Sequence, residues 1–222
     1  VSSITAFDRL SCVGDVGVGA LAYRPATAPE DVQPGDIDLQ ALGHDAMRIL
    51  DGEEAGSLML LQRIGGSPGG ARPKVLVGLD GNGRVAQGEG RLPAGYDPWI
   101  VKFRSHDDFH DIGPVEAAYM EMAARAGLRV PATKLDGPGF FAARRFDREG
   151  NRCIHVQSLC AILEAPPGLT AIGYRHFLLA TRQVTNDAAE VAEAFRRAAF
   201  NVLAHNRDDH SKQHSFAMDR SG

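Results

Sequence analysis

Lys74-Val75-Leu76-Val77-Gly78-Leu79-Asp80-Gly81-Asn82-Gly83-Arg84-Val85-Ala86-Gln87 decides the fold class of this chain. Val75–Leu79 is an apolar strand run. Asp80-Gly81-Asn82-Gly83 tolerates the positive φ of a tight reversal, so the chain returns along Val85–Gln87 as an antiparallel hairpin. Working outward, further strands are expected at Trp99–Phe103, near Thr133–Leu135 and at Phe140–Phe146. Val115, Ala118, Tyr119, Met122, Ala123 and Ala126 sit at helical spacing, stopped by Gly127. Before the hairpin, a short helix around Ala6–Leu10, a strand from Val16 to Tyr23, a linker rich in Pro and acid, and two helices between 38 and 64 are expected. Beyond 155 the pattern turns helical. Asp187 with Glu190 reads as a capping box, and Val191, Phe195, Ala198 and Val202 line one face of a helix ending near His205. A strand at His214–Met218 follows. Strands dominate 70–147 and helices dominate 155–205, an α+β plan with two lobes, and a cleft between lobes is a common ligand site.

Composition narrows the class. Of 222 residues, 44% are apolar and 23% charged, near the globular average, which excludes a disordered polypeptide. A chain this long buries roughly 70–75% of its unfolded surface and needs no staples. Cys12, Cys153 and Cys160 are too few for a disulfide framework and predict a reduced, cytoplasmic protein. A net charge of −4 gives no case for direct nucleic-acid binding. No apolar run approaches the roughly 20 residues of a membrane span, so no membrane partner is expected. The first residue is Val1, not Met, as in a processed or partial chain.

Four stretches could carry chemistry. Gly65-Gly66-Ser67-Pro68-Gly69-Gly70-Ala71-Arg72-Pro73-Lys74 allows close backbone approach to a phosphate beside a Lys, yet it has neither a Walker A ending nor dinucleotide spacing and reads equally as a surface loop. Lys102 is the polar residue of an apolar strand, on the face of Ile100. It is either a snorkelling side chain or a phosphate ligand with Glu116, on the next helix, as its ion-pair partner. His205-Asn206-Arg207-Asp208-Asp209-His210-Ser211-Lys212-Gln213-His214 is the densest polar cluster, on a loop held between a helix and a strand. His106-Asp107-Asp108-Phe109-His110-Asp111 invites a metal reading against that of a solvated loop.

In their order and spacing, these landmarks resemble the HipA-type serine/threonine kinase toxins of bacterial type II toxin–antitoxin modules. The resemblance runs through Gly19-Ala20-Leu21, Ser67–Lys74, Trp99–Phe103, Arg145-Phe146-Asp147-Arg148, Phe200–Leu203 and Asn206–His210. It implies a kinase fold with a β-rich N-lobe, the start of a helical C-lobe, and ATP between them. Residues 1–36 would be a remnant of an N-terminal subdomain, 37–147 the N-lobe, and 148–222 the first part of the C-lobe. Gly69, Gly70, Ala71, Arg72, Pro73 and Lys74 would form the loop over the nucleotide, with Ser67 the autophosphorylated residue. Lys102 would contact the phosphates, Arg144, Arg145 and Phe146 the adenine, and His210 and Lys212 would line ATP. Asp208 matches the catalytic Asp.

The resemblance also implies ATP and Mg²⁺ as cofactors, a helix-turn-helix antitoxin as partner, DNA contact only through that antitoxin, and a protein substrate in a family whose targets include aminoacyl-tRNA synthetases. Gln213 stands where the family has an Asn metal ligand, on a stem one methylene longer. The family's second metal-binding Asp lies beyond Gly222, and Asp219 is too close to replace it. The chain is therefore expected to be a fragment, and silent on its own. Two rivals stay open: a kinase-fold protein that acts by binding an antitoxin or target without catalysis, and a metal-dependent hydrolase built on His205, Asp208, Asp209, His210 and His214.

Overall fold

Asp80 makes the hairpin turn. Its carboxylate accepts the backbone N–H groups of Asn82 (2.9 Å) and Arg84 (2.8 Å) and the Arg84 guanidinium (2.7 Å). Gly83 beside it takes φ +79°, which costs glycine little. So β1 (Lys74–Asp80) pairs antiparallel with β2 (Val85–Gln87), and its other edge pairs with β3 (Tyr96–Lys102) in a register that sets Lys74 opposite Lys102. β4 (Thr133–Asp136) and β5 (Phe140–Arg144) complete an antiparallel sheet of order β2-β1-β3-β5-β4. This computed structural model describes residues 5–14, 17–26, 37–50, 72–87, 92–105, 107–137, 139–166 and 172–218.

The chain divides into two units, Val1–Tyr119 with Pro131–Ile154, and Met120–Val130 with His155–Gly222. In the first, α1 (Ala6–Val13) is opened by Thr5, whose hydroxyl accepts the Asp8 N–H while the Asp8 carboxylate accepts the Thr5 N–H. Leu39, Leu42 and Ala46 of α2 (Leu39–Leu50) form the core with Val75, Val77, Leu79, Val101, Phe103 and Ala142 of the sheet region. A Cβ on Gly43 would come within 2.9 Å of the Phe103 ring, so the missing side chain lets helix and sheet close up. The hairpin β6 (Arg148–Glu149) and β7 (Arg152–Cys153) follows the sheet. α3 (Ile112–Arg125) carries Glu116.

The second unit pairs β8 (Val156–Ser158) with β9 (Ser215–Ala217) and adds α4 (Leu159–Ile162), α5 (Tyr174–Thr185) and α6 (Ala188–Leu203). Leu159, Phe177, Ala180 and Ala194 make its core, with Tyr174, Leu178 and Phe216 packed on it. Glu193 is buried on α6, accepting the Arg129 N–H (3.0 Å) and paired with Arg196 (2.8 Å) and Arg197 (2.9 Å).

The α+β class stands, with local corrections. Residues 17–23 form no strand, because the Gly17 carbonyl and both backbone groups of Gly19 bond to Arg148 and Asp147 side chains instead of to a neighbouring strand. The strand expected at Phe140–Phe146 stops at Arg144, and β3 begins at Tyr96, three residues early. Asp187 caps α6 through the Ala189 N–H (2.7 Å), but Glu190 pairs with Arg129, so the expected box does not close. The second helix expected between 38 and 64 lies outside the described residues.

Candidate functional site

Strand β3 ends by presenting Lys102 from a sheet position whose neighbour Val101 is fully buried. Its ammonium lies 3.1 Å from Glu116 Oε1 and 5.4 Å from the centre of the Phe141 ring, on the strand position opposite. The same Glu116 oxygen accepts Arg72 Nη1 at 2.8 Å, while Arg72 Nε donates to Asp108 Oδ1 at 3.0 Å. Asp108 also accepts the Ser105 N–H and hydroxyl. Burial pushes the Asp108 carboxyl up, but those donors and the Arg72 charge outweigh it and hold it below its ordinary value.

Helix α3 is set close to the sheet by Gly113, where a Cβ would stand 2.0 Å from the Gly139 carbonyl oxygen. Together these elements line a cleft of about 250 Å³ whose charged walls are Arg72, Lys102, Arg104 and Glu116, with His110 at its side. Cations outnumber carboxylates there, so the cleft suits a polyanion such as a phosphate chain.

Sequence reading assigned Arg144, Arg145 and Phe146 one role, and the structure gives them three different surroundings. Arg144 is half-exposed and pairs with Asp97 at 2.6 Å. Phe146 is exposed. The Arg145 guanidinium is only 1% exposed and is spent on Asp147, through Nε (2.9 Å) and Nη2 (2.7 Å). Its side chain is thus a structural tie. Asp147 also accepts Arg148 Nη1 (2.7 Å) and the Gly19 N–H (2.8 Å). Burial raises the Asp147 carboxyl, but Arg145, Gly19 and Arg148 more than reverse this and hold it below its ordinary value.

In the second unit, α6 ends at Leu203, and His205 turns the chain with φ +55°. The loop beyond it exits into β9, with the His214 carbonyl accepting the Leu159 N–H (2.9 Å) and the Ser211 carbonyl accepting the Cys160 N–H (3.1 Å). Asp208 and Asp209 face different surroundings. The Asp208 side chain is 80% exposed; Gln213 Nε2 donates to it at 2.9 Å, and His210 Nε2 lies 3.5 Å from its Oδ1. The Asp209 side chain is 9% exposed and accepts His214 Nε2 (2.7 Å), Asn201 Nδ2 (3.0 Å) and the Tyr174 hydroxyl. Burial and then the Asp209 carboxylate push the Tyr174 phenol up to about 12. Lys212 is exposed, its N–H directed at His210 Nδ1 (3.3 Å).

The site's expected Mg²⁺ can be tested on these side chains. Gln213 turns its amide nitrogen, not its oxygen, to Asp208. Among the described residues no three His, Cys, Asp or Glu side chains come together as a metal site. That gives the hydrolase reading no support. Mg²⁺ takes only one or two carboxylates beside substrate phosphates, and Asp208 is the exposed carboxylate of this loop. Among the described residues of the second cluster, Asp108 is used by Arg72 and His110 pairs with exposed Asp111. Ser67, Gly69, Gly70, Ala71, His106 and Asp219 lie outside the described residues, whereas Pro73 accepts the Phe103 N–H at 2.9 Å. Sequence reasoning missed the sharing of Glu116 between Lys102 and Arg72, and the burial of Asp209. The doubled Asp was the visible signal for the second of these.

A family model described as HipA-like C-terminal domain matches residues 66–222. Among solved structures, the chain is similar to one from Shewanella oneidensis MR-1, the toxin–antitoxin system HipA, HipB and operator DNA complex. The TM-score is 0.72 at 22% identity, covering 100% of this chain and 56% of that one. The likeness is one of fold, and the chain spans little more than half that protein's length. No curated protein matches. No described helix is long and apolar enough to cross a membrane.

Proposed function

The chain belongs to the HipA-like C-terminal domain family, and from that premise we propose that it is part of a HipA-type protein serine/threonine kinase, the toxin of a toxin–antitoxin pair. The observation that carries the reading is Asp208: an exposed carboxylate on a loop anchored at both ends. Such a group can orient a serine or threonine hydroxyl and accept its proton as the oxygen attacks the γ-phosphorus of ATP and the bond to the β-phosphate oxygen breaks, releasing ADP. Lys102, aimed by Glu116, supplies fixed positive charge for the phosphates. Arg72 and Arg104 add to it.

Mg²⁺ would enter with the nucleotide, bound to its phosphates and held by few protein ligands. The proposed partners are a helix-turn-helix antitoxin, DNA only through it, and a protein substrate such as an aminoacyl-tRNA synthetase. A net charge of −4 accords with leaving DNA to the antitoxin.

One observation favours a second reading. Gln213 spends its amide on Asp208, as would suit a kinase fold that binds its antitoxin or target without transferring phosphate. Incubating the intact gene product with ATP labelled at the γ-position and Mg²⁺ separates the two. Label on protein serine or threonine supports the kinase. Nucleotide binding without label supports the second reading, and a protein that shows no label and binds no nucleotide would sink both.

A further inference from the structure

We propose that Asp209 is a positioning residue: its buried carboxylate pins the 205–214 loop and so sets the direction in which Asp208 faces. The proposal rests on the reading of Asp208 as proton acceptor. A carboxylate that is 9% exposed is costly unless donors compensate it, and a carboxylate can only accept. Asp209 has three donors from three places: Tyr174 at the start of α5, Asn201 in α6 and His214 at the loop exit. His214 in turn packs on the buried Phe177 ring, centroids 4.1 Å apart.

The pin reaches Asp208 through a chain of hydrogen bonds. Asn201 donates its Nδ2 to Asp209 and accepts Asn206 Nδ2 on its Oδ1 (3.3 Å), and Asn206 Oδ1 accepts the backbone N–H of Asp208 (3.1 Å). The Asn206 N–H also returns to the Asn201 carbonyl at 2.9 Å. With its amide tied and its neighbour buried, Asp208 can point only outward. Converting Asp209 to Asn removes the charge that all three partners share. It leaves an amide N–H facing either His214, which must then change tautomer, or the Tyr174–Asn201 pair, so the ring weakens without loss of volume.

Two measurements test this. Hydrogen exchange on the intact gene product should show the amides of 206–214 exchanging about tenfold faster or more in Asp209→Asn, and also faster in the milder Tyr174→Phe, with β1 and β3 unchanged. Unaltered loop exchange in both variants would overturn the pin. In the intact gene product, Asp209→Asn should lower kcat for phosphoryl transfer by roughly a hundredfold, the scale of an ångström misplacement, with KM for ATP within twofold, and Tyr174→Phe should lose less. A raised KM with unchanged kcat would overturn the positioning role. If the unmodified protein transfers no phosphate, the kinase reading fails, while the exchange result still decides whether Asp209 holds the loop.

Discussion

Asp147→Asn is expected to loosen the first unit severely. The carboxylate accepts Arg145 twice, Arg148 once and the Gly19 N–H, and both it and Arg145 are almost wholly buried, with 3% and 1% of their side chains exposed. Removing the charge strands a guanidinium with nowhere to hydrate. Breaking a buried pair from one side costs about 3–5 kcal/mol. At about 2–4 °C per kcal/mol for a chain this long, the melting temperature should fall by about 6–20 °C. Trp99 is the one tryptophan of the sequence and packs against the first unit's core, so its fluorescence during urea unfolding reads this unit. Replacing Arg145 and Asp147 together by Met and Leu should cost less than Asp147→Asn alone, because no orphaned charge is left at Arg145. A change under about 1 kcal/mol in Asp147→Asn would refute the reasoning.

The remaining predictions concern acid, packing and nucleotide. Asp147 and Glu193 both titrate below their ordinary values, because their Arg and backbone N–H donors outweigh the upward push of burial. The stability they supply is present above the unfolded carboxylate range near pH ~4 and is lost as pH falls through their lower folded values. Fluorescence and circular dichroism should therefore show unfolding as the solution is acidified below about pH 4, and an unchanged fold at pH ~2 would contradict it. Gly113→Ala drives a methyl into the Gly139 carbonyl, so α3 must shift, at a cost of about 1–3 kcal/mol or more. Thermal melting checks the cost, and weakened ATP binding checks the displacement of Glu116. Lys102→Met should lower phosphoryl transfer by about 10²–10³, read as initial rate, whereas a rate near that of the unmodified protein would remove Lys102 from the site.

What was legible in the sequence was local. The Asp80 turn, the strands beside it and the span of α6 follow from residue pattern alone, and the Lys102–Glu116 pair from the kinase Lys–Glu arrangement. The expected face of α6 does not, since Phe195 and Val202 are exposed while Glu193, Ala194 and Ala198 are buried. What was not legible depends on contacts far apart in the chain. Gly17 and Gly19 avoid strand pairing because Asp147 and Arg148, about 130 positions later, take their backbone groups, and no local propensity reports that. Arg145 looked like a nucleotide contact by its place in a motif, yet its neighbour two residues on captures its side chain. Asp208 and Asp209 are the same residue type side by side. Only the packing of Tyr174, Asn201 and His214 makes one an anchor and leaves the other exposed.

Transfer of the ATP γ-phosphate by the intact gene product, with Asp208→Asn measured beside it, tests the central claim most directly. The account predicts label on protein serine or threonine, cut by about 10²–10⁴ in the variant, while melting temperature and ATP affinity stay close to those of the unmodified protein. Asp208→Asn transferring phosphate at the unmodified rate would contradict it.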